Sequence, residues 1–560
     1  MYRSLIPKYK FARPLFLETA YYVVFAMSIV FISCVTAYNF VDGLYTPKLI
    51  AFFVFCALTL ILSYIIRVKK NNCFHSGDLV VLAVAIVCAV YLYSRAQSYL
   101  DVGIFISSVY LYFAVRNTAA IEKLKIVFCV SCVSGCVINL IIIILQIVRH
   151  DNPIGLFSNE IALLVLFLGG IVSSIELYKK FNNKFLRVAL LLLILVIVGY
   201  AIYIKSRTIF FAIALMATVL YKKRWLMIVG ISLFVIICLS IFYKLDSTYG
   251  RITILNIALS IPDNAWEIIF GVGENGFAER YMLKQSEILA NLDCETQYLA
   301  DNINHPLNDF IYMYIRYGLG FCVLAILLIK GACKNHIIGK FNTAILAMLF
   351  AFACVSYPFR YPISWIFLAF ALGCNEFGIH NEKRIPALPI GAVIFVLATI
   401  PLCLSYGVWK NERLLYDAVG RSMLGKNESA LSYYNKIDDK FCGEKVIVGH
   451  ARAELGAGNY RAALDCMEKL SLCDYETSLL KGEIFNALLD YPRAIQCFEL
   501  ASKMCPSRFI PLYEIYNAAC KSNDIELRER VRTQIINKDI KVPSSKIYQI
   551  INYVSNENVQ

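Results

Sequence analysis

The stretch "NINHPLNDFIYMYIRYGLGF", residues 302–321, runs from a polar tract into an apolar one. It sets His305, Asn308, Asp309 and Arg316 at the border of a segment apolar enough to enter a membrane, where polar groups are costly. The rest of the chain supports that reading. Hydrophobic residues make up 59% of the 560 and charged residues 17%, and the mean hydropathy is +0.62. Apolar residues gather in blocks, most of roughly 16–23 and a few shorter, about what a 30 Å hydrocarbon core requires. Such blocks fall near 15–37, 48–66, 79–94, 102–115, 126–148, 161–175, 188–204, 208–220, 226–243, 309–329, 341–357, 363–378 and 387–407. The expected fold class is all-α: a polytopic membrane helical bundle of about 12–13 transmembrane helices. No small-residue cleavage site follows the first block, which reads as a retained helix.

Basic residues cluster in alternate loops, among them Arg3, Lys8, Lys10 and Arg13; Arg67, Lys69 and Lys70; Lys179, Lys180, Lys184 and Arg187; Lys222, Lys223 and Arg224; Lys383 and Arg384. The positive-inside rule puts these loops and the N-terminus in the cytoplasm, and an odd span count puts the C-terminus outside. Two outer tracts are too long to be simple connections: 244–308, and everything after Trp409. The second holds 21 Lys+Arg and 20 Asp+Glu, so the net charge of +14 belongs almost wholly to the membrane part. That basic balance reflects topology and gives no reason to expect a nucleic-acid partner. The domain reading is 1–408 for the membrane part, with its large external loop 244–308, and 409–560 for an external helical-repeat domain.

The repeat shows in "AELGAGNYRAALDCMEKL" (453–470), which returns as "IFNALLDYPRAIQCFELA" (484–501), with Tyr460 and Ala463 recurring as Tyr491 and Ala494. The pattern resembles tetratricopeptide repeats, although its period of 31 falls short of the usual 34. Helix pairs of that kind stack into a solenoid that binds a protein partner; a helical cap that steadies the membrane part is the plainer reading. The 20 cysteines show no CxxC spacing within the repeats, and those inside spans act as small hydrophobes.

The string "HPLNDFIYMYIRYGLGF" resembles the signature of the O-antigen ligase and polymerase superfamily, in which a His, a nearby Asn, an apolar helix start and a glycine element follow in order. "KSRTIFFA" (205–212), "GRITILNIALS" (250–260) and "IIFGVGENGFAERY" (268–281) resemble further elements of that family in the same order. Leu307 stands directly before Asn308 where many members carry His, and Arg316 stands where members often carry Glu. The resemblance implies a glycosyltransferase of the outer face of a bacterial inner membrane. Its donor would be a glycan on a polyprenyl diphosphate, and its acceptor a lipid, glycan or protein hydroxyl. Ligation, polymerisation and transfer to protein all occur in the superfamily.

The chemistry asks for cations on the leaving diphosphate and a base for the acceptor proton. Arg207 and Arg251 suit the first task, since the planar guanidinium binds phosphate oxygens bidentately; a headgroup anchor and a solvated helix residue are their plainer readings. His305 suits the second, as an imidazole titrates near neutrality, unless it only positions its loop. Asn308 and Asp309 read as a helix N-cap pair. Arg316 either pairs with Asp309 or adds a phosphate contact, and Arg360 either meets substrate or anchors to headgroups. The glycines of "GVGENGF" lack the βαβ setting of a dinucleotide site and read as turns that fold the loop over the bundle. The acids Asp293 and Glu295 have no third ligand beside them, so neither metal nor other cofactor is expected. A transporter of an anionic or lipid-linked solute, binding through these same arginines, is the alternative from another class.

Overall fold

The computed structural model describes residues 12–69, 73–96, 98–116, 120–220, 230, 245–333, 336–374, 376–377, 384–386 and 391–556. Among the described residues the chain is built from helices. The first eight are α1 (Ala12–Cys34), α2 (Thr46–Lys69), α3 (Ser76–Arg95), α4 (Tyr99–Arg116), α5 (Ile121–Val148), α6 (Glu160–Lys180), α7 (Lys184–Tyr203) and α8 (Arg207–Leu220). Four short helices, α9 (Leu245–Leu259), α10 (Ala265–Phe270), α11 (Gly276–Leu289) and α12 (Cys294–Leu299), precede α13 (Asp309–Cys333), α14 (Lys340–Val355), α15 (Pro362–Gly373) and α16 (Gly391–Met423). The C-terminal run is α17 (Asn427–Tyr434), α18 (Asp439–Cys442), α19 (Lys445–Gly456), α20 (Tyr460–Glu468), α21 (Tyr475–Ala487), α22 (Tyr491–Met504), α23 (Ile510–Ser522), α24 (Ile525–Ile536) and α25 (Ser545–Asn556). The described β-structure amounts to two antiparallel pairings, Cys73–His75 with Arg384–Pro386 and His336–Ile337 with Glu376–Phe377.

Among the described residues seven helices are long and apolar enough to cross a membrane: Phe16–Cys34, Thr46–Val68, Tyr99–Arg116, Ile121–Val148, Glu160–Lys180, Lys184–Tyr203 and Asp309–Cys333. The apolar blocks of the sequence suggest about thirteen spans. Four of the remaining blocks form apolar helices too short to meet that criterion, Val80–Arg95, Arg207–Leu220, Lys340–Val355 and Pro362–Gly373. At 1.5 Å per residue the 16 residues of α14 rise only about 24 Å, against a core of about 30 Å. The block at 387–407 begins outside the described residues and continues in α16, which has Pro401 inside it. Apart from residue 230, the block at 226–243 lies outside the described residues.

The chain divides into two compact units, and the division differs from the sequence boundary at 408. One unit takes 1–242, 308–310 and 321–413; the other takes 243–307, 311–320 and 414–560. The loop 244–308 therefore groups with the C-terminal helices. In the first unit, helices approach through small residues, as packing in lipid favours: Gly169 of α6 lies under the ring of Phe367 of α15, and Gly170 meets the thiol of Cys136 of α5. Phe128 stacks on Phe370 with ring centroids 3.9 Å apart. The buried Asn139 donates to the carbonyls of Ser33 and Gly135 and accepts the amide of Leu156, so its polar atoms are satisfied inside the bundle. Arg116 and Asp78 form a buried ion pair at 3.3 Å.

In the second unit, loop and C-terminal helices share one hydrophobic core. Ile257, Ile261, Phe277, Tyr281 and Met282 from the loop pack with Phe498, Met504, Phe509, Ile515, Val531 and Val554. Polar ties reinforce it: Gln285 donates to the carbonyl of Met504 at 2.7 Å and to that of Asp301 at 3.0 Å. Arg508 binds Asp301 at 2.6 Å, and Lys541 donates to the carbonyl of Leu299. Burial pushes the Asp301 carboxyl up, but the Arg508 guanidinium and the Asn302 amide outweigh it and hold it below the usual carboxylate range.

The repeat seen in the sequence is in phase with the helices. Tyr460 and Tyr491 each begin a helix, α20 and α22, and Ala463 and Ala494 are fully buried. The residues that turn the chain between paired helices are Gly458, Leu489 and Asn523, all with positive φ (85°, 65° and 57°). Glycine and asparagine adopt that conformation readily, whereas a γ-branched side chain is strained there. Leu489 is also exposed, so little packing holds it. Leu489→Gly is expected to stabilise this unit by up to about 1 kcal/mol, read as a higher midpoint in thermal unfolding of the detergent-solubilised protein. Phe498→Ala, which empties the shared core, is expected to cost about 3–5 kcal/mol. It should speed proteolysis in the 290–300 segment as well as in the C-terminal helices; acceleration in the helices alone would contradict a shared core.

Candidate functional site

The centre of the site is a break in α13. Gly318 has φ 72° and ψ 177°, so the helix is interrupted there. In an unbroken helix the carbonyls of Ile315 and Arg316 would accept from the amides of Leu319 and Gly320. Here they accept from the loop that precedes the helix, Val272 donating to Ile315 at 2.9 Å and Gly273 to Arg316 at 3.0 Å. Both strands of this pairing need glycine. A Cβ at Gly318 would fall on the carbonyl of Ile269 and the amide of Gly271, and one at Gly271 would fall on the Arg316 carbonyl. Gly271 also ends α10 with φ 75°. The glycines of "GVGENGF" and "RYGLGF" are thus two halves of one close backbone approach.

On this base sit the charged groups. Arg316 is nearly buried; its Nε donates to the carbonyl of Glu274 at 2.8 Å, and its guanidinium meets the Glu274 carboxylate at 3.4 Å. The guanidinium carbon lies 4.8 Å from the ring centre of Tyr312 and 5.1 Å from that of Tyr317, so the cation is also held by two aromatic faces. His305 packs on the other neighbour of this group, its ring 4.3 Å from that of Tyr312. His305 is buried and its Nδ1 accepts the amide of Leu307 at 3.0 Å. An imidazole nitrogen that accepts a backbone N–H carries no proton, so the neutral ring bears its proton on Nε2. The turn that makes this bond gives Leu307 a φ of 56°, a strained conformation for leucine.

His305, Arg316 and the exposed Arg251 of α9 belong to the second unit; Arg207, Asn308, Asp309 and Arg360 belong to the first. Within the second, His305, Tyr312, Arg316 and Glu274 form one cluster. Within the first, Asp309 accepts the amide of Phe359 at 3.0 Å, next to Arg360 in the turn Pro358–Arg360, and Asn308 donates to the carbonyl of Cys354 at 2.8 Å. The two side chains therefore tie the start of α13 to the end of α14 and the turn after it. Arg360 is exposed, and its carbonyl accepts the hydroxyl of Tyr45. Arg207 is half-buried at the first position of α8.

Three residues stand outside the sequence-derived set, two of them in the His305 cluster and one in the first unit. Glu274 and Tyr312 have no mark beyond lying in the glycine-rich stretch and in the apolar helix start. Lys48, at the head of α2, is 3% exposed; it donates to the carbonyl of Val35 at 2.7 Å and lies over the ring of Phe157. Val35 follows the last residue of α1, so the ammonium caps the negative end of that helix. Asp293, one of the loop's acidic pair, caps α12 through the amide and hydroxyl of Thr296. Among the described residues no group of three or more His, Cys, Asp or Glu is placed to hold a metal ion, and the described cysteines are free thiols.

Compared with known protein families, with characterised proteins and with solved structures, the chain matches none.

Gly318→Ala is expected to break the pairing of 272–273 with 315–316, because the added methyl meets backbone that has no room to move. Hydrogen exchange at the Val272 and Gly273 amides should then rise by at least tenfold, while amides of α21 and α22 stay protected.

Proposed function

We propose that the chain is a membrane glycosyltransferase that moves a glycan from a polyprenyl diphosphate to an acceptor hydroxyl, as the O-antigen ligase superfamily does, at the outer face of a bacterial inner membrane. The observation that carries the reading is the meeting of the two glycine elements. The stretches 268–281 and 302–321, each resembling an element of that superfamily, interlock through Gly271 and Gly318 and surround His305 and Arg316. The C-terminal helix pairs, read as a tetratricopeptide-like surface, favour a macromolecular acceptor, and with it ligation or protein transfer over bare polymerisation.

In the reaction the acceptor oxygen attacks the anomeric carbon, the bond from that carbon to the diphosphate breaks, and the diphosphate leaves with the electron pair. Arg207 and Arg251 hold the leaving group; the acceptor proton passes to His305. In the geometry described, Nδ1 of His305 accepts the Leu307 amide, so the proton of the neutral ring is on Nε2. Taking a proton requires the Leu307 amide to release Nδ1, and the strain at Leu307 lowers the cost of opening that turn. Arg316 is engaged by Glu274 and two tyrosines and acts as a brace for the loop.

His305→Ala is expected to lower transfer by about 10²–10⁴ while the purified protein still binds the lipid-linked donor. His305→Gln keeps a donor close to the Nε2 position but cannot accept a proton, so the base role makes it as inactive as alanine. A glutamine variant near the wild-type rate would reduce His305 to a hydrogen-bond donor. Arg207→Lys and Arg251→Lys should each lose most activity, because an ammonium does not reproduce the bidentate fork; mass spectrometry of donor and transferred glycan reads all four variants.

A further inference from the structure

Within the second unit, where the loop meets the C-terminal helices, lies a groove of about 510 Å³, inside the range of roughly 300–1,000 Å³ common to ligand pockets. Each of its long walls is one stripe of a helix. α24 contributes Leu527, Arg530, Val531 and Gln534, and α22 contributes Glu499, Ser502 and Lys503, spaced three and four apart as a single helix face requires. The end of α11 and Gln297 of α12 close the other side. The floor is apolar: Leu512, Ile515, Leu527 and Val531 are members of the shared core, and Leu289 lies beside them.

The rim is polar, and its charges are not engaged. Lys503 and Arg530 are exposed, and among the described residues neither they nor Glu499 and Gln534 make a hydrogen bond or ion pair. The arginines two residues to either side of Arg530 do so, since Arg528 and Arg532 share Glu529. This lining selects an occupant. Its two cations outnumber its one carboxylate, which favours an anionic ligand, and the fork of Arg530 suits a carboxylate. Gln297 and Gln534 belong to opposite walls, and each carries a donor and an acceptor, the pair of groups that an extended peptide backbone needs to meet. A saccharide is best held against aromatic faces, and no Phe, Tyr or Trp lines the groove.

We propose that this groove binds an acidic peptide segment of a protein partner, with an apolar side chain on the floor and carboxylates on Lys503 and Arg530. Glu499, one turn before Lys503, repels an acid at its own end and so fixes the direction of the segment. The site needs no part of the transfer reaction. In the test, the full-length protein purified in detergent is panned against phage-displayed random heptapeptides, and enriched peptides are synthesised and titrated by fluorescence anisotropy. They are expected to carry Asp or Glu close to Leu, Ile, Val or Met, and to bind at least tenfold more weakly when Lys503→Glu and Arg530→Glu are combined. Arg461→Glu with Lys469→Glu, an equal change of charge at exposed positions outside the groove, should leave affinity unchanged. No enrichment, enriched peptides without an acidic residue, or equal affinity for the Lys503 and Arg530 variant overturns the proposal. A wild-type dimer that this variant dissociates would give the groove to a second copy and overturn it as well. Should the variant unfold at a lower temperature than wild type, p-benzoylphenylalanine in place of Gln534 decides instead: irradiation should join it to the enriched peptide, and failure to do so places the peptide elsewhere and overturns the proposal.

Discussion

A helix that stops bonding to itself for one turn is the feature on which the rest of the site depends. Because α13 breaks at Gly318, two carbonyls inside an otherwise apolar helix lack intrahelical partners, and leaving them bare would cost about 1–3 kcal/mol each. Val272 and Gly273 take them up. That satisfies the helix and also fixes the loop: Glu274 follows directly and grips Arg316, and the aromatic faces that flank Arg316 form the wall against which His305 rests. Glycine is the residue that permits such an approach from either side, and so the loop and the helix each present one.

How far this was legible in the sequence depends on whether a feature is local. Apolar blocks are local, and the helices follow them, with α1, α2, α5, α6 and α7 close to the runs of residues that name them. The shorter blocks mislead only about length: α14 and α15 are apolar enough but end early, because a hydropathy window registers composition and not where the helix closes. The helical hairpins were legible too, since Tyr460 and Tyr491 mark helix starts by their repeat. Partners distant in sequence were not. Nothing in "GVGENGF" names Arg316 as the partner of Glu274, and nothing in the loop announces that Phe277 and Tyr281 share a core with Phe498, more than two hundred residues later.

The same limit applies to chemistry. The pattern singles out His305 as a residue type fit for proton transfer, but which nitrogen is available is decided by the amide of Leu307, two residues away in a turn with positive φ. Arg316 likewise looks like a spare cation at a membrane border until its partners are seen, when it becomes part of the scaffold. A charge in an apolar setting identifies a position under constraint; the neighbours decide whether that constraint serves binding or architecture.

The core shared by the loop and the C-terminal helices also orders events in the life of the chain. Residues 257–282 leave the ribosome long before residues 498–554, yet they bury their apolar side chains against them. Until the last helices are made, the apolar residues that the loop gives to this core lack those partners, while α13 to α16 are still being made. Completion of the final hairpins thus closes the core late: a chain that stops short of α22 would hold its glycine elements and its histidine in full, and lack the side chains that Phe277 and Tyr281 pack against.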